Sequence, residues 1–297
     1  MARVEVIINA ASGSVFAGET EDAVRAAFSA QGIDANFRVA KTGAEIERFA
    51  AEAADGEAKV IVAGGGDGTI STVAKEVHRS GKILGVLPLG TLNNFAKDLG
   101  VPLGLEEAAG VVAANEVRSI DLAEVNGRVF LNNSSIGLYP QMVRRRVRQQ
   151  RLGRGKWYAA FWAWLRVFRY SPFLKVHIKV GGKEFERKLP FVFVGNNEYE
   201  MDLYNIGRRN RLDSGKLSVY FIHRDGRWGV TLLLMHTIAG RLRQWQDFEE
   251  VDTEEVTIET RRRRLFVAVD GEVERLPAPL VYRCLPKSLR VIAPPSP

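Results

Sequence analysis

The chain has one cysteine, Cys284, in 297 residues. That excludes an internal disulfide and fits a reducing compartment. It also excludes a thiolate metal cluster, and His78, His177, His223 and His236 show no ligand spacing. Long hydrophobic runs are missing as well. The longest uncharged stretch that invites a membrane reading, Trp228–Gly240, has 13 residues, against roughly 20 needed to span a bilayer. Met1 leads directly into Val4-Glu5-Val6-Ile7-Ile8, so no signal peptide is expected. No Gly-Lys is followed by Ser or Thr, and no Gly-x-Gly-x-x-Gly is completed around Gly64–Ser71. A Walker A loop and a Rossmann fingerprint are therefore both absent. There is no internal repeat and no low-complexity segment.

Acidic residues are absent from one long stretch. Val125–Lys183 contains 13 Lys and Arg and no Asp or Glu. The whole chain has 42 basic and 35 acidic residues, so the remainder has 42 − 13 = 29 basic residues against 35 acidic, a net of −6. An acidic body with one basic region points to an anionic surface more strongly than the overall charge of +7 does.

What is present begins with Val60-Ile61-Val62-Ala63-Gly64-Gly65-Gly66-Asp67-Gly68-Thr69. An apolar strand runs into a glycine loop, where the backbone can approach a ligand closely and successive N–H groups can converge on phosphate. Ile83–Leu87 followed by Pro88-Leu89-Gly90-Thr91-Leu92-Asn93-Asn94-Phe95 repeats the layout about 25 residues on. Two such corners suggest a nucleotide site at the carboxyl edge of a parallel sheet. The surrounding residues alternate strand and helix. Strands are expected at Val4–Ile8, Phe37–Val39, Val60–Val62 and Ile83–Leu87. Helices are expected at Glu21–Ala30, Glu45–Ala54, Ile70–His78 and Glu106–Ala114. After Asp121 the pattern changes to alternating strands: Arg128–Asn132, Lys175–Val180, Glu184–Lys188, Phe191–Val194, Leu217–Ile222, Glu255–Glu259 and Leu265–Val269. The fold class is thus α/β plus all-β. A three-layer α/β domain with a mostly parallel sheet (residues 1–122) is followed by an antiparallel β-sandwich (residues 123–297). The extreme C-terminus is left free to return to the first domain.

These residues carry a family resemblance. Gly65-Gly66-Asp67-Gly68-Thr69 together with Pro88–Ala96 resembles the catalytic domain of the diacylglycerol kinases, a family that includes bacterial lipid kinases and the sphingosine and ceramide kinases. The first motif is shared with NAD kinases and phosphofructokinases; the second is more specific. Val267-Ala268-Val269-Asp270-Gly271-Glu272 is a third match. The resemblance implies an ATP- and Mg²⁺-dependent kinase acting on a lipid hydroxyl, with the nucleotide held between the domains. It implies a nucleotide pocket lined by Asn9, Ser12, Gly13, Gly65, Gly66, Asp67, Gly68, Thr69, Ile70, Ser71, Thr72, Thr91 and Asn93. It also implies a catalytic group of Glu272 as proton acceptor with Asp270 and Asp67, and magnesium supported through water by Asp67, Asp121 and Asp270. On the sequence alone, Asp270-Gly271 reads first as a hairpin turn.

Several positions depart from the family pattern. Ala10 replaces a proline, Ser14 a basic residue, Asn94 an aspartate, and Ser71-Thr72 an Asn-Glu pair. In Arg211-Leu212-Asp213-Ser214-Gly215-Lys216, Ser214 stands where many relatives use a carboxylate for a structural magnesium, with Arg211 and Lys216 supplying carbonyls. A hydroxyl is a poor exchange there.

Arg144, Arg145, Arg146, Arg148, Arg151, Arg154 and Lys156 precede Trp157, Phe161, Trp164, Leu165 and Phe168, which share one helical face. A basic run joined to an aromatic stripe suits an anionic membrane surface; a core helix with solvated arginines is the other reading. Arg261–Arg264 is a second basic run whose place the sequence does not decide. No nucleic-acid motif is present. The expected setting is cytoplasmic, peripheral to the inner face of a membrane, with a homodimer left open. Two rival functions remain: a kinase for a soluble acceptor such as NAD, and a nucleotide-sensing membrane regulator without catalysis.

Overall fold

The computed structural model describes residues 4–11, 19–137, 173–180, 182–199, 208–222 and 248–295. Ser12, Gly13, Ser14, the basic run Arg144–Lys156, the aromatic stripe Trp157–Phe168 and Trp228–Gly240 lie outside them. The described residues form two compact units. The first comprises the chain to Leu122, Arg208–Gly215, and the chain from Leu285 onward; the second comprises Ala123 onward and Lys216–Cys284.

In the first unit, β1 (Val4–Asn9), β2 (Ala35–Ala40), β3 (Val60–Gly65) and β4 (Ile83–Pro88) make a parallel sheet in the order β2-β1-β3-β4. The runs Val-Ile-Ile in β1 and Val-Ile-Val-Ala in β3 are buried along their whole length, as expected of strands covered on both faces. The helices are α1 (Glu19–Ala30), α2 (Gly43–Asp55), α3 (Asp67–Ser80), α4 (Asn94–Leu99) and α5 (Leu105–Ala114). α2 packs with α3, and α1 with α5. Their buried stripes, such as Ile46, Ala50 and Ala53 or Ile70, Val73, Ala74 and Val77, recur at helical spacing. β1 feeds β2 on one side, and the chain then crosses to β3 on the other. The ends of β1 and β3 are therefore the point where the winding reverses.

Among the described residues the second unit contains β6 (Arg128–Phe130), β7 (Asn133–Gly137), β8 (Leu174–Val180), β9 (Lys183–Leu189), β10 (Phe191–Asn196), β11 (Leu217–Ile222), β12 (Phe248–Thr253), β13 (Glu255–Thr260), β14 (Arg264–Val269) and β15 (Glu272–Pro277). One antiparallel sheet runs β12-β11-β10-β7-β14-β15. A second places β8 between β13 and β9. Residues of both sheets, among them Ile136, Val176, Ile178, Val194, Val219, Ile258 and Val267, share one apolar core. The alternating burial of β8 and β13 is the period-two signature of strands with one inward face. Two strands are divided between the units: β5 (Val117–Val125) and β16 (Leu280–Ile292). The first part of β16 pairs antiparallel with β13, and its last part pairs parallel with β4. Pro286 and the positive φ of Lys287 (50°) interrupt it between.

Boundaries differ from the sequence reading where side chains were misleading. α3 begins at Asp67 rather than Ile70, because the glycine loop turns straight into the helix. The expected strand Arg128–Asn132 is two, β6 and β7, separated by Leu131-Asn132. Arg261–Arg264 are exposed at the turn from β13 to β14. No helix among the described residues is long and apolar enough to cross a membrane.

Candidate active site

Three loops meet where the parallel strands end. Asn9, closing β1, donates from Nδ2 to Thr69 Oγ1 (2.9 Å) and accepts the Ala11 N–H at Oδ1 (3.0 Å). Gly66 and Gly90 touch backbone to backbone: a Cβ on Gly90 would lie 2.3 Å from Gly66 Cα. Gly65 makes room for Thr69, whose side chain lies 2.6 Å from where a Gly65 Cβ would be. The first intrahelical bond of α3 runs from Ile70 N–H to Gly66 O (3.0 Å). The amides of Asp67, Gly68 and Thr69 therefore precede the helical ladder, an arrangement that can receive an anion.

Asp67 ties the loops together. Its Oδ1 accepts the Phe95 N–H (2.9 Å) and its Oδ2 the Asn94 N–H (3.2 Å). Each oxygen of an ionised carboxylate keeps a further lone pair. Asn93 adopts a left-handed conformation (φ 52°) that asparagine tolerates. Its Nδ2 donates to Pro88 O (3.0 Å) and Gly90 O (2.9 Å), and its Oδ1 accepts the Gly90 N–H (2.9 Å).

The structure thus brings Asn9, Gly65, Gly66, Asp67, Gly68, Thr69, Thr91 and Asn93 to one corner. Within it, the Asn93 amide is spent shaping its own loop. Ile70 and Ser71, on the first turns of α3, are both buried, and Ile70 belongs to the apolar core. The Thr72 hydroxyl returns to Gly68 O (2.9 Å).

Two residues that the sequence reading missed adjoin this corner. Asp98, on α4, and Arg209 form an ion pair with side chains 3 % and 0 % exposed. Arg209 Nε donates to Asp98 Oδ2 (2.8 Å) and its backbone N–H to Oδ1 (3.1 Å). Burial raises the Asp98 carboxyl above its ordinary range, and the Arg209 charge works against that rise. The two residues are 111 positions apart, so no local pattern could have paired them.

Asp121 is 1 % exposed. Its Oδ2 accepts the Gly215 N–H (2.7 Å) and its Oδ1 the Lys287 N–H (2.8 Å), while its own N–H donates to Leu212 O (2.7 Å). It fastens the 211–215 loop and the interruption of β16. That loop does not fit a structural magnesium. Ser214 brings a neutral hydroxyl, Arg211 pairs with Asp213 (3.3 Å), and Asp121 faces backbone amides. Among the described residues no group of three His, Cys, Asp or Glu could hold a metal. Asp67 offers a carboxylate beside the helix start, which suits an Mg²⁺ that keeps its waters and rides on substrate phosphates.

In the second unit, Asp270 (φ 47°) and Gly271 (φ 87°) are the two central residues of a hairpin in which Val269 pairs with Glu272. Both φ values are positive, as a type I′ turn requires. The turn reading from the sequence is therefore right, and it leaves Glu272 exposed at the start of β15. The Asp270 carboxylate accepts the N–H groups of Leu131 (2.8 Å), Asn132 (2.8 Å) and Asn133 (3.2 Å). Asn196, which the sequence reading also missed, holds the same segment through its Nδ2 to Leu131 O (2.9 Å) and its N–H to Asn132 O (2.9 Å). The paired asparagines at strand ends, Asn132-Asn133 and Asn196-Asn197, were the available signal.

Two family models match the chain. Residues 3–125 match the diacylglycerol kinase catalytic domain, and residues 135–293 match the YegS C-terminal NAD kinase beta sandwich-like domain. A Pseudomonas aeruginosa protein named "Probable lipid kinase YegS-like" is 42 % identical over 120 residues, 38 % of this chain and 39 % of that protein. A Klebsiella pneumoniae protein of the same name is 39 % identical over 109 residues, 36 % of this chain and 37 % of that one. The matched region thus spans under two fifths of these relatives. A Bacillus anthracis structure described as a diacylglycerol kinase superposes with a TM-score of 0.71 at 21 % identity, covering 99 % of this chain and 97 % of the other. A second Bacillus anthracis structure gives 0.77 at 24 % identity, covering 99 % and 98 %. These likenesses carry the fold. With both family models matching in order along it, this chain belongs to the family that joins a diacylglycerol kinase catalytic domain to a YegS C-terminal NAD kinase beta sandwich-like domain.

Proposed function

We propose that the protein transfers the γ-phosphoryl group of ATP to a hydroxyl of a membrane lipid, with diacylglycerol as the first candidate. The observation that carries this reading is the closure of three loops at the winding reversal of a parallel sheet. Gly66 and Gly90 are in backbone contact there, and Asp67 is fixed by the amides of Asn94 and Phe95. The amides of Asp67, Gly68 and Thr69 receive the phosphates, and the N-terminus of α3 favours their charge. Phosphoryl transfer asks mainly for positioning and charge stabilisation. Asp67 would hold the magnesium of Mg·ATP through water, and the ion would offset charge on the phosphates. Glu272, an exposed carboxylate, accepts the proton of the lipid hydroxyl. Asp270 supports Glu272 by fixing the hairpin against Leu131–Asn133. The basic stretch Arg144–Lys156 docks the protein on an anionic bilayer, each basic residue contributing on the order of 1 kcal/mol.

The test is transfer of labelled γ-phosphate from Mg·ATP into a total lipid extract in anionic mixed micelles, with wild type beside Glu272→Gln. A labelled lipid formed by wild type and lost in the variant supports the reading and names the acceptor. Label transferred to NAD and to no lipid would replace it with a soluble-acceptor kinase. ATP binding without transfer to either would leave a sensor.

A further inference from the structure

We propose that Arg209 is a positioning residue: through buried Asp98 and the ring of Phe95 it fixes the helix whose first amides hold the Asp67 carboxylate. This rests on the phosphotransfer reading of the glycine corner. α4 has six residues, too few to be stable by itself. Its placement must come from outside. Arg209 grips it at two points: the backbone N–H and Nε occupy both oxygens of Asp98, and the guanidinium lies 5.9 Å from the centre of the Phe95 ring. Phe95 is also the residue whose N–H donates to Asp67 Oδ1 (2.9 Å). One residue therefore touches Arg209 with its side chain and Asp67 with its backbone. At the far end of α4, Arg118 Nη2 donates to Leu99 O (2.8 Å).

Energetics argue that the pair is kept for geometry. A buried ion pair is weak evidence for stability, because desolvation offsets most of the Coulomb attraction and apolar residues of similar volume often serve as well. What it adds is direction. A planar guanidinium and a carboxylate meet in few orientations, which lysine cannot reproduce. Asp67 also lies near enough for its charge to add to the burial that raises the Asp98 carboxyl. Arg209 therefore offsets a like charge beside the catalytic carboxylate. The other end of the same segment is fastened by Asp121 to Gly215, so 208–215 holds α4 from a fixed base.

The experiment is a double-mutant cycle between Arg209→Lys and Asp67→Asn. It is read by Mg²⁺-dependent binding of a fluorescent ATP analogue and, where wild type transfers phosphate, by kcat and KM. Displacing a reacting group by about 1 Å can cost on the order of 10²-fold in rate. We expect Arg209→Lys to lose at least about tenfold in Mg²⁺-dependent binding or kcat, and to add little more on the Asp67→Asn background. Asp98→Leu/Arg209→Met supplies an apolar pair: thermal stability recovers while the nucleotide defect persists. Losses that multiply independently, or an apolar pair that restores both stability and nucleotide use, would overturn the proposal. If Arg209→Lys does not fold, the apolar pair decides alone. Wild type that binds Mg·ATP but labels no lipid refutes only the acceptor assignment, because the binding cycle still reads the relay. An Asp67→Asn variant with unaltered binding and turnover would remove both readings.

Discussion

Gly90→Ala is the sharpest perturbation that the glycine corner offers. The added Cβ would lie 2.3 Å from Gly66 Cα, 2.8 Å from Asn93 Oδ1 and 3.0 Å from Gly66 N. Two of those atoms are backbone, and the third belongs to a side chain anchored by Pro88 O and Gly90 itself. Ordinary contact begins near 3.4 Å, so the loops must part by 3.4 − 2.3 = 1.1 Å. Overpacking of this kind costs about 1–3 kcal/mol, against about 5–15 kcal/mol for a typical domain. The variant should therefore stay folded at 25 °C. If these loops position ATP as proposed, a shift of about 1 Å between them should cost on the order of 10²-fold in turnover. The assay is Mg·ATP affinity and phosphate transfer, measured beside chemical denaturation. Gly66→Ala is the comparator, because its Cβ meets Gly90 Cα at 3.4 Å; its stability should stay close to wild type. Full ATP affinity and turnover in Gly90→Ala would refute the claim that this backbone contact sets the nucleotide site.

Three further outcomes are expected. Gly68→Ala meets no atom within 4 Å and exchanges glycine for alanine in a helix, so stability should rise by about 0.5–1 kcal/mol. ATP affinity should fall if phosphates approach the Gly68 backbone, and isothermal calorimetry would reveal the split. Asp270→Asn keeps the left-handed turn but leaves one of three amides without an oxygen acceptor. It should cost about 1.5–3 kcal/mol in a denaturation curve and lower transfer through a loosened hairpin. Binding to anionic vesicles should weaken as salt rises and the Debye length falls below about 10 Å; sedimentation across a salt series would check it, and salt-insensitive binding would favour the aromatic stripe.

The elements legible in the sequence were those whose cause is local. Apolar runs in β1 and β3, buried stripes in α2 and α3, and Asp270-Gly271 as a hairpin all follow from neighbouring residues. Of the strands that escaped notice, three are polar or broken in pattern. β12 reads Phe-Glu-Glu-Val-Asp-Thr and, among the described residues, lies at a sheet edge, as does β15; edge strands often carry charge. β16 hid behind Pro286 and Lys287. α4 was too short for a periodic signal.

By itself the sequence determined the α/β-then-β architecture and the local form of the glycine corner, because glycine spacing and hydrophobic period act over a few consecutive residues. Only the tertiary structure decided what the acidic residues do. Asp67, Asp98, Asp121 and Asp270 look alike in the chain. Folded, each meets different donors: the amides of α4, the guanidinium of Arg209, the amides of Gly215 and Lys287, and the amides of Leu131–Asn133. Of these donors, only the α4 amides lie within 30 residues of their aspartate; the others lie 94 to 166 residues away. A carboxylate acquires its role from the donors that long-range packing brings to it, and no local pattern contains that information.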